Sequence, residues 1–236
     1  MRILVINPNT TASMTESIAV AARNAAAPGT EIVPVTSSIG PASIEGFYDE
    51  AFATPGIIRA LADASDVDAA MIACFDDTGL DAARCFAAHP VVGICEAGLA
   101  TTAQLCKRLA IVTTLSRSVV PLEELVRRYG YAERARVYAC DVPVLELEDP
   151  ASGARGKIER RIAAALDEGA EAILLGCAGM AALAADLSAQ FNAPVVDGVV
   201  AAVKQAEALV GLGLKTSRRG SYASPRAKCY AGALAE

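Results

Sequence analysis

The chain has 236 residues, with 21 Lys and Arg against 27 Asp and Glu for a net charge of −6, and its 53% hydrophobic content is rich in alanine. With no basic stripe and no apolar run of roughly 18 residues, the composition argues against nucleic-acid and membrane partners and against a spanning helix. Seven cysteines, an odd number with no C-x-x-C pair, argue against a disulfide framework or a zinc cage.

The amino terminus, MRILVINPN, enters a buried-strand pattern at once and lacks the regions of a signal peptide, so a cytoplasmic location is expected. From there, short apolar runs alternate with longer segments of helical period, the pattern of βαβ units and parallel sheets. A strand at 2–6 leads through Asn7–Thr11 to a helix at 13–27, whose start reads as the capping box Ser13-x-x-Glu16. After a strand at 31–35, the segment GPASIEGFYDEAFATPG (40–56) carries Gly and Pro at both ends and reads as a long loop over a cleft. A helix at 56–65, a strand at 69–74, a helix at 79–88 and a strand at 91–95 complete the first half. The second half reads as strands at 109–113, 136–140, 171–176 and 194–197, with helices at 118–129, 156–168, 179–190 and 199–211. The polar tail is expected either to pack back on the first lobe over 208–236 or to be partly disordered.

The halves repeat. IACFDDTGL (72–80) and LLGCAGM (174–180) each run from apolar residues into a cysteine and a glycine-bearing turn, and Cys74 and Cys177 lie 177 − 74 = 103 residues apart. PVVGICEAG at 90–98 recurs as PVVDGVVAA at 194–202, and ILVINPNT at 3–10 recurs in pattern as AIVTTLS from 110. A duplicated unit that closes on itself sets two thiols face to face. The expected fold is therefore α/β, with two similar lobes at 1–98 and 99–207. Each is a parallel sheet flanked by helices, related by a pseudo-twofold with the active site in the cleft between them. Two opposed acid/base groups suit chemistry that moves a proton from one face of a carbon to the other.

Parallel sheets bind ligands beyond the carboxyl ends of their strands. Asn7, Asn9, Cys74 to Thr78, Thr113, Thr114, Cys177 to Gly179 and Asp197 all fall there. At a helix start, free amides and the helix dipole would lower the thiol pKa of Cys74 and Cys177. Thr113 and Thr114, with Ser116 behind, read either as a helix cap or as donors to a developing oxyanion. Asn9 fixes a turn or holds a ligand, and Asp76 and Asp77 orient a thiol or its ligand, or cap the next helix. Cys85, Cys95, Cys106, Cys140 and Cys229 read as small buried hydrophobes, and His89 as a surface or loop residue. Phosphate-binding and metal motifs are absent, and no lysine ends a predicted strand, so no cofactor and no metal are expected.

Taken together, ILVINPNT, GPASIEGFYDEAFATPG, IACFDDTGL, PVVGICEAG, LAIVTTLS, LLGCAGM and PVVDG resemble the aspartate/glutamate/hydantoin racemase superfamily nearly end to end. The likeness is greatest to its hydantoin racemase branch, which includes allantoin racemases. The resemblance implies a cofactor-independent, two-base racemase in which Cys74 and Cys177 are the catalytic cysteines. It places Asn9, Phe75, Asp76, Thr113, Thr114, Ala178 and Gly179 on substrate-contacting loops, and Phe47 with Tyr48 could add an apolar wall. Amino-acid racemases of the superfamily usually have Asn-Thr after the first cysteine and Thr-His after the second. Here those positions are Phe75-Asp76 and Ala178-Gly179, which favours a neutral ring over a free amino acid. A small-molecule substrate and a homo-oligomer are the expected partners. The competing readings are an amino-acid racemase, a maleate cis–trans isomerase and a non-enzymatic small-molecule binding protein.

Overall fold

Successive residues of a strand face opposite sides of its sheet, and this alternation builds the layers here. A computed structural model describes residues 1–230. The first half contains β1 (Arg2–Asn7), α1 (Ala12–Ala25), β2 (Glu31–Thr36), α2 (Phe47–Asp63), β3 (Ala69–Ile72), α3 (Leu80–Phe86), β4 (Val91–Gly93) and α4 (Ile94–Thr102). The second contains β5 (Leu109–Thr113), α5 (Val119–Arg128), β6 (Ala135–Ala139), α6 (Ala154–Asp167), β7 (Ala172–Gly176), α7 (Ala184–Phe191), β8 (Val195–Asp197) and α8 (Gly198–Gly211). The strands form two four-stranded sheets in the orders β2-β1-β3-β4 and β6-β5-β7-β8. All pairings are parallel. The expected α/β architecture of two similar lobes is what the chain adopts.

On the outer face of the first sheet, Leu4, Ile6, Ala70 and Ile72 pack with Ile57, Leu61 and Leu80 from α2 and α3. On the second, Ala110, Val112, Ile173 and Leu175 pack with Ile158, Ile162 and Leu187 from α6 and α7. The alternate residues, Ile3, Val5 and Met71 from one sheet and Leu109, Ile111 and Leu174 from the other, join a single shared core with residues of α1, α4, α5 and α8. Each fully buried Leu or Ile contributes about 1.5–3 kcal/mol. At its centre α4 and α8 approach at backbone distance. A Cβ on Gly98 would lie 2.6 Å from Leu174 Cδ1, and one on Gly198 would lie 2.4 Å from the carbonyl oxygen of Ile94.

Four expectations are corrected. The segment read as a loop at 40–56 becomes helical from Phe47, with Pro55 inside α2. Gly46 (φ 141°) starts the helix, and Asp49 and Glu50 complement its positive end. A Pro in a helix interior costs about 3 kcal/mol, here offset by burial of Ala53, Ile57, Ala60 and Leu61. The capping box does not form, because α1 starts at Ala12 with Thr11 at the cap position and Ser13 already inside the helix. The strand expected at 91–95 ends at Gly93, and α4 begins at once as an element the apolar run concealed. The strand expected at 69–74 ends at Ile72, short of Cys74.

The tail lies along α3. The Arg218 guanidinium donates to the carbonyls of Arg84, Cys85 and Ala87, and the Tyr222 hydroxyl donates to Asp81 at 2.9 Å. Residues 231–236, part of the segment expected on the first lobe, lie outside the described residues.

Gly198→Ala is expected to destabilise the protein by about 1–3 kcal/mol through overpacking at this crossing. Urea unfolding measures it, and an unchanged midpoint would contradict the crossing.

Candidate active site

The turns after β3 and β7 are built alike. The Asp77 N–H donates to the Cys74 carbonyl at 3.0 Å, and the Met180 N–H donates to the Cys177 carbonyl at 3.1 Å. The backbone N–H two residues on draws each thiol pKa down, Asp76 at Cys74 and Gly179 at Cys177. The Thr78 hydroxyl donates to Cys74 Sγ at 3.5 Å.

These amides lower the thiol pKa values, but burial outweighs them and the expected net lowering does not occur. Burial pushes Cys74 well above its ordinary range, and the neighbouring charge of Asp76 adds to the rise. Burial likewise pushes Cys177 up to about 12, with the Gly179 N–H opposing it. The helix dipole offers little help at Cys74, because α3 starts only at Leu80 and the dipole acts over about one turn. Both thiols are therefore protonated at rest near neutral pH.

Cys74 and Cys177 line one cavity with Asn9, Phe75, Asp76, Thr113, Thr114 and Ala178. Gly179 stands beside it, where a Cβ would lie 3.8 Å from Cys177 Sγ. Phe47 is not brought in. It opens α2, is 60% exposed, and borders a neighbouring pocket instead. The apolar wall comes from Met14, Ile44 and Val144, of which only Ile44 lies in the segment expected to supply it. Ser118 also lines the cavity, whereas Ser116 donates to Asp141 at 2.6 Å. His89 is outside the lining.

The polar groups are partly committed. Thr113 Oγ1 donates to the Gly176 carbonyl at 3.1 Å and so holds the β7 end beside Cys177. Asn9 Oδ1 accepts from Asn7 Nδ2 and from the Thr11 N–H, both at 2.9 Å. That leaves Asn9 Nδ2 against the weak acceptor Met14 Sδ at 3.5 Å, available to a better one.

The two aspartates divide. Asp77, held at a left-handed φ of 46°, accepts from the N–H groups of Cys95 and Glu96 at 3.0 Å each and from the Tyr129 hydroxyl at 2.7 Å. It thus caps α4, and not the α3 that follows it in sequence. In the other half Asp197 caps its own helix by accepting from the Val200 N–H at 2.9 Å. Gly93 stands where the repeat has Asp197, and a Cβ there would fall 2.4 Å from the Asp77 carboxyl. Asp76 faces the cavity, its pKa raised to about 7 by burial and then by Glu50 and Asp77. Among the described residues no group of three or more His, Cys, Asp or Glu could hold a metal ion, and no helix is long and apolar enough to cross a membrane.

Comparisons with known proteins agree with this geometry. The Asp/Glu/Hydantoin racemase family model matches residues 3–206. A hydantoin racemase from Pseudomonas sp. (strain NS671) is 45% identical over 238 residues, covering 99% of this chain and 96% of that protein. An allantoin racemase structure from Klebsiella pneumoniae superposes with a TM-score of 0.97 at 45% identity, covering 100% of this chain and 98% of that one. A glutamate racemase from Francisella tularensis shares the fold, with a TM-score of 0.65 at 17% identity over 92% of this chain and 84% of its own. The chain is thus a two-lobed α/β isomerase of the racemase type. It belongs to the Asp/Glu/hydantoin racemase family.

Tyr129→Phe keeps the ring but removes one donor from the buried Asp77 carboxyl, and is expected to cost about 1.5–3 kcal/mol. Chemical denaturation checks this, and a loss below about 0.5 kcal/mol would show that the bond does not hold the turn.

Proposed function

We propose that this chain racemises neutral cyclic ureides, 5-substituted hydantoins or allantoin, by two-base proton transfer between Cys74 and Cys177. Each copy of the repeat, 1–98 and 99–207, brings one thiol. The observation that carries the substrate class is the lining of the cavity. Among the described residues it contains both cysteines but no Lys, Arg or His, and its single carboxyl group is Asp76. A substrate carboxylate would be desolvated there without a countercharge, at a cost of several kcal/mol. A neutral ring needs only hydrogen bonds. The same lining argues against a maleate-type dicarboxylate. The hydantoin racemase and allantoin racemase relatives support the reading.

In such a ring the reacting carbon lies next to a carbonyl, so removing its proton gives an enolate with most of its charge on oxygen. One cysteine acts as thiolate base while the opposite thiol donates a proton to the other face, and the roles exchange with the enantiomer. Asn9 Nδ2 and the hydroxyls of Thr114 and Ser118 are the donors placed to meet the oxygen, each worth about 3 kcal/mol when preorganised. Asn9, Phe75, Asp76, Thr113, Thr114, Ala178 and Gly179 form the substrate surround.

Proton NMR in deuterated buffer is expected to show exchange into 5-alkyl hydantoins or allantoin at least about a hundredfold faster than into aspartate or glutamate, about 2.7 kcal/mol in barrier. Faster exchange into either amino acid would overturn the substrate class. Because both thiol pKa values are raised, the reactive thiolate is the minor form at neutral pH and grows as pH rises. The kcat/KM for the hydantoin is therefore expected to increase from pH 7 to 9, and a decrease over that range would contradict thiolate as the base.

A further inference from the structure

We propose that Asp76 is the proton-exchange residue of this site, carrying protons between the two-thiol cavity and an acidic pocket that opens to solvent behind it. The proposal rests on the two-thiol reading above. Each turnover leaves the thiols with exchanged states, because the cysteine that acted as base holds the proton and its partner is a thiolate. To take the same enantiomer again, one proton must leave the first and one must reach the second. Something must reset the pair.

The geometry points to Asp76. Among the described residues it is the one shared by the lining of the thiol cavity and that of the neighbouring pocket. On the inner side it lines the cavity together with Cys74 and Cys177, and its charge acts on both thiols. On the outer side the pocket is bordered by Glu50 of α2, Asp77, Asp81, Glu124 and Arg128. Asp77 cannot serve, since its oxygens are held by Cys95, Glu96 and Tyr129. Asp76 titrates at about 7, with Glu50 the leading charge acting on it, so its carboxyl both gives and takes protons near neutrality.

The reset balances without an oxidant or co-reactant. The Asp76 carboxylic acid first gives its proton to the Cys177 thiolate, leaving a carboxylate and a thiol. The carboxylate then takes the proton of the Cys74 thiol, restoring the acid and leaving a thiolate. In the opposite direction the same two steps run in reverse. Water in the outer pocket exchanges with the Asp76 proton.

Tracer perturbation tests this. A labelled racemic 5-alkyl hydantoin is equilibrated with the enzyme, and excess unlabelled single enantiomer is added. If resetting is slower than turnover, the flow of unlabelled substrate traps one protonation form and drives the label transiently away from a 1:1 ratio. Asp76→Asn is expected to show this excursion at a substrate concentration at least about tenfold lower than the wild type, with kcat falling more than kcat/KM. Asp76→Glu is expected to restore the wild-type threshold, and Glu50→Gln to lower it about threefold. A purely structural role would not move the threshold. An unmoved threshold in Asp76→Asn would overturn the proposal while leaving two-thiol racemisation standing. If Asp76→Asn fails to fold, an unmoved threshold in Glu50→Gln overturns it instead. Absence of any racemisation by the wild type would overturn the underlying reading and this proposal with it.

Discussion

The two parallel sheets share a helix layer in which α4 and α8 meet at backbone distance, and Gly98 against Gly198 is that meeting. A side chain at either position would enter Leu174 or the carbonyl of Ile94. Because each helix follows the last strand of its own sheet, their crossing sets the sheets with the carboxyl ends of β3 and β7 on a common cavity. The turns there are alike, but they are tethered differently. Cys177 is steadied by Thr113 on Gly176. The Cys74 turn is steadied by Asp77, which doubles as the cap of α4 and reaches Tyr129 in the second half. Gly93 makes room for this arrangement where the other half has Asp197. The asymmetry ties the first thiol to the core between the sheets.

Electrostatics then decides what the cavity can accept. For Cys177, a rise from 9.0 to about 12 amounts to roughly 4 kcal/mol of added cost for the thiolate. A substrate carboxylate would add to that cost by placing a second negative charge beside the sulfur. A neutral ring does not, and the enolate it forms spreads its charge onto an oxygen that protein donors can meet. The burial that keeps both thiols protonated at rest thus also favours an uncharged substrate. Asp76, ionised above about pH 7, works in the same direction.

Much of the fold was legible because alternation and duplication are local properties of the chain. The runs around Leu4, Met71, Ile111 and Leu174 marked buried strands, and the 103-residue offset between Cys74 and Cys177 placed equivalent turns in both halves. Helix α2 was hidden because Gly46 and Pro55 read as breakers. Gly46 is in fact the start of the helix, and Pro55 is carried by tertiary burial that a local window does not contain. Helix α4 was hidden because ICEAG continues the apolar run of β4 without punctuation. The direction of the thiol pKa shifts was missed for a related reason. The amides at each turn are visible in sequence, whereas the desolvation that outweighs them comes from residues distant in the chain, such as Val144 and Met14. Phe47 was misplaced with the supposed loop, since the exposed face of a helix start carried it out of the cavity.

The central claim is that two groups on opposite faces of one carbon share the proton transfer. Isotope distribution from a single enantiomer tests it most directly. An enantiopure 5-alkyl hydantoin is incubated with the enzyme in deuterated buffer, and deuterium at the reacting carbon is measured separately in product and residual substrate early in conversion. The account predicts product that carries solvent deuterium beside residual substrate that remains essentially unlabelled. Equal labelling of both, or product that retains the original hydrogen, would mean that one group serves both faces, and would contradict the assignment of Cys74 and Cys177 as opposed bases.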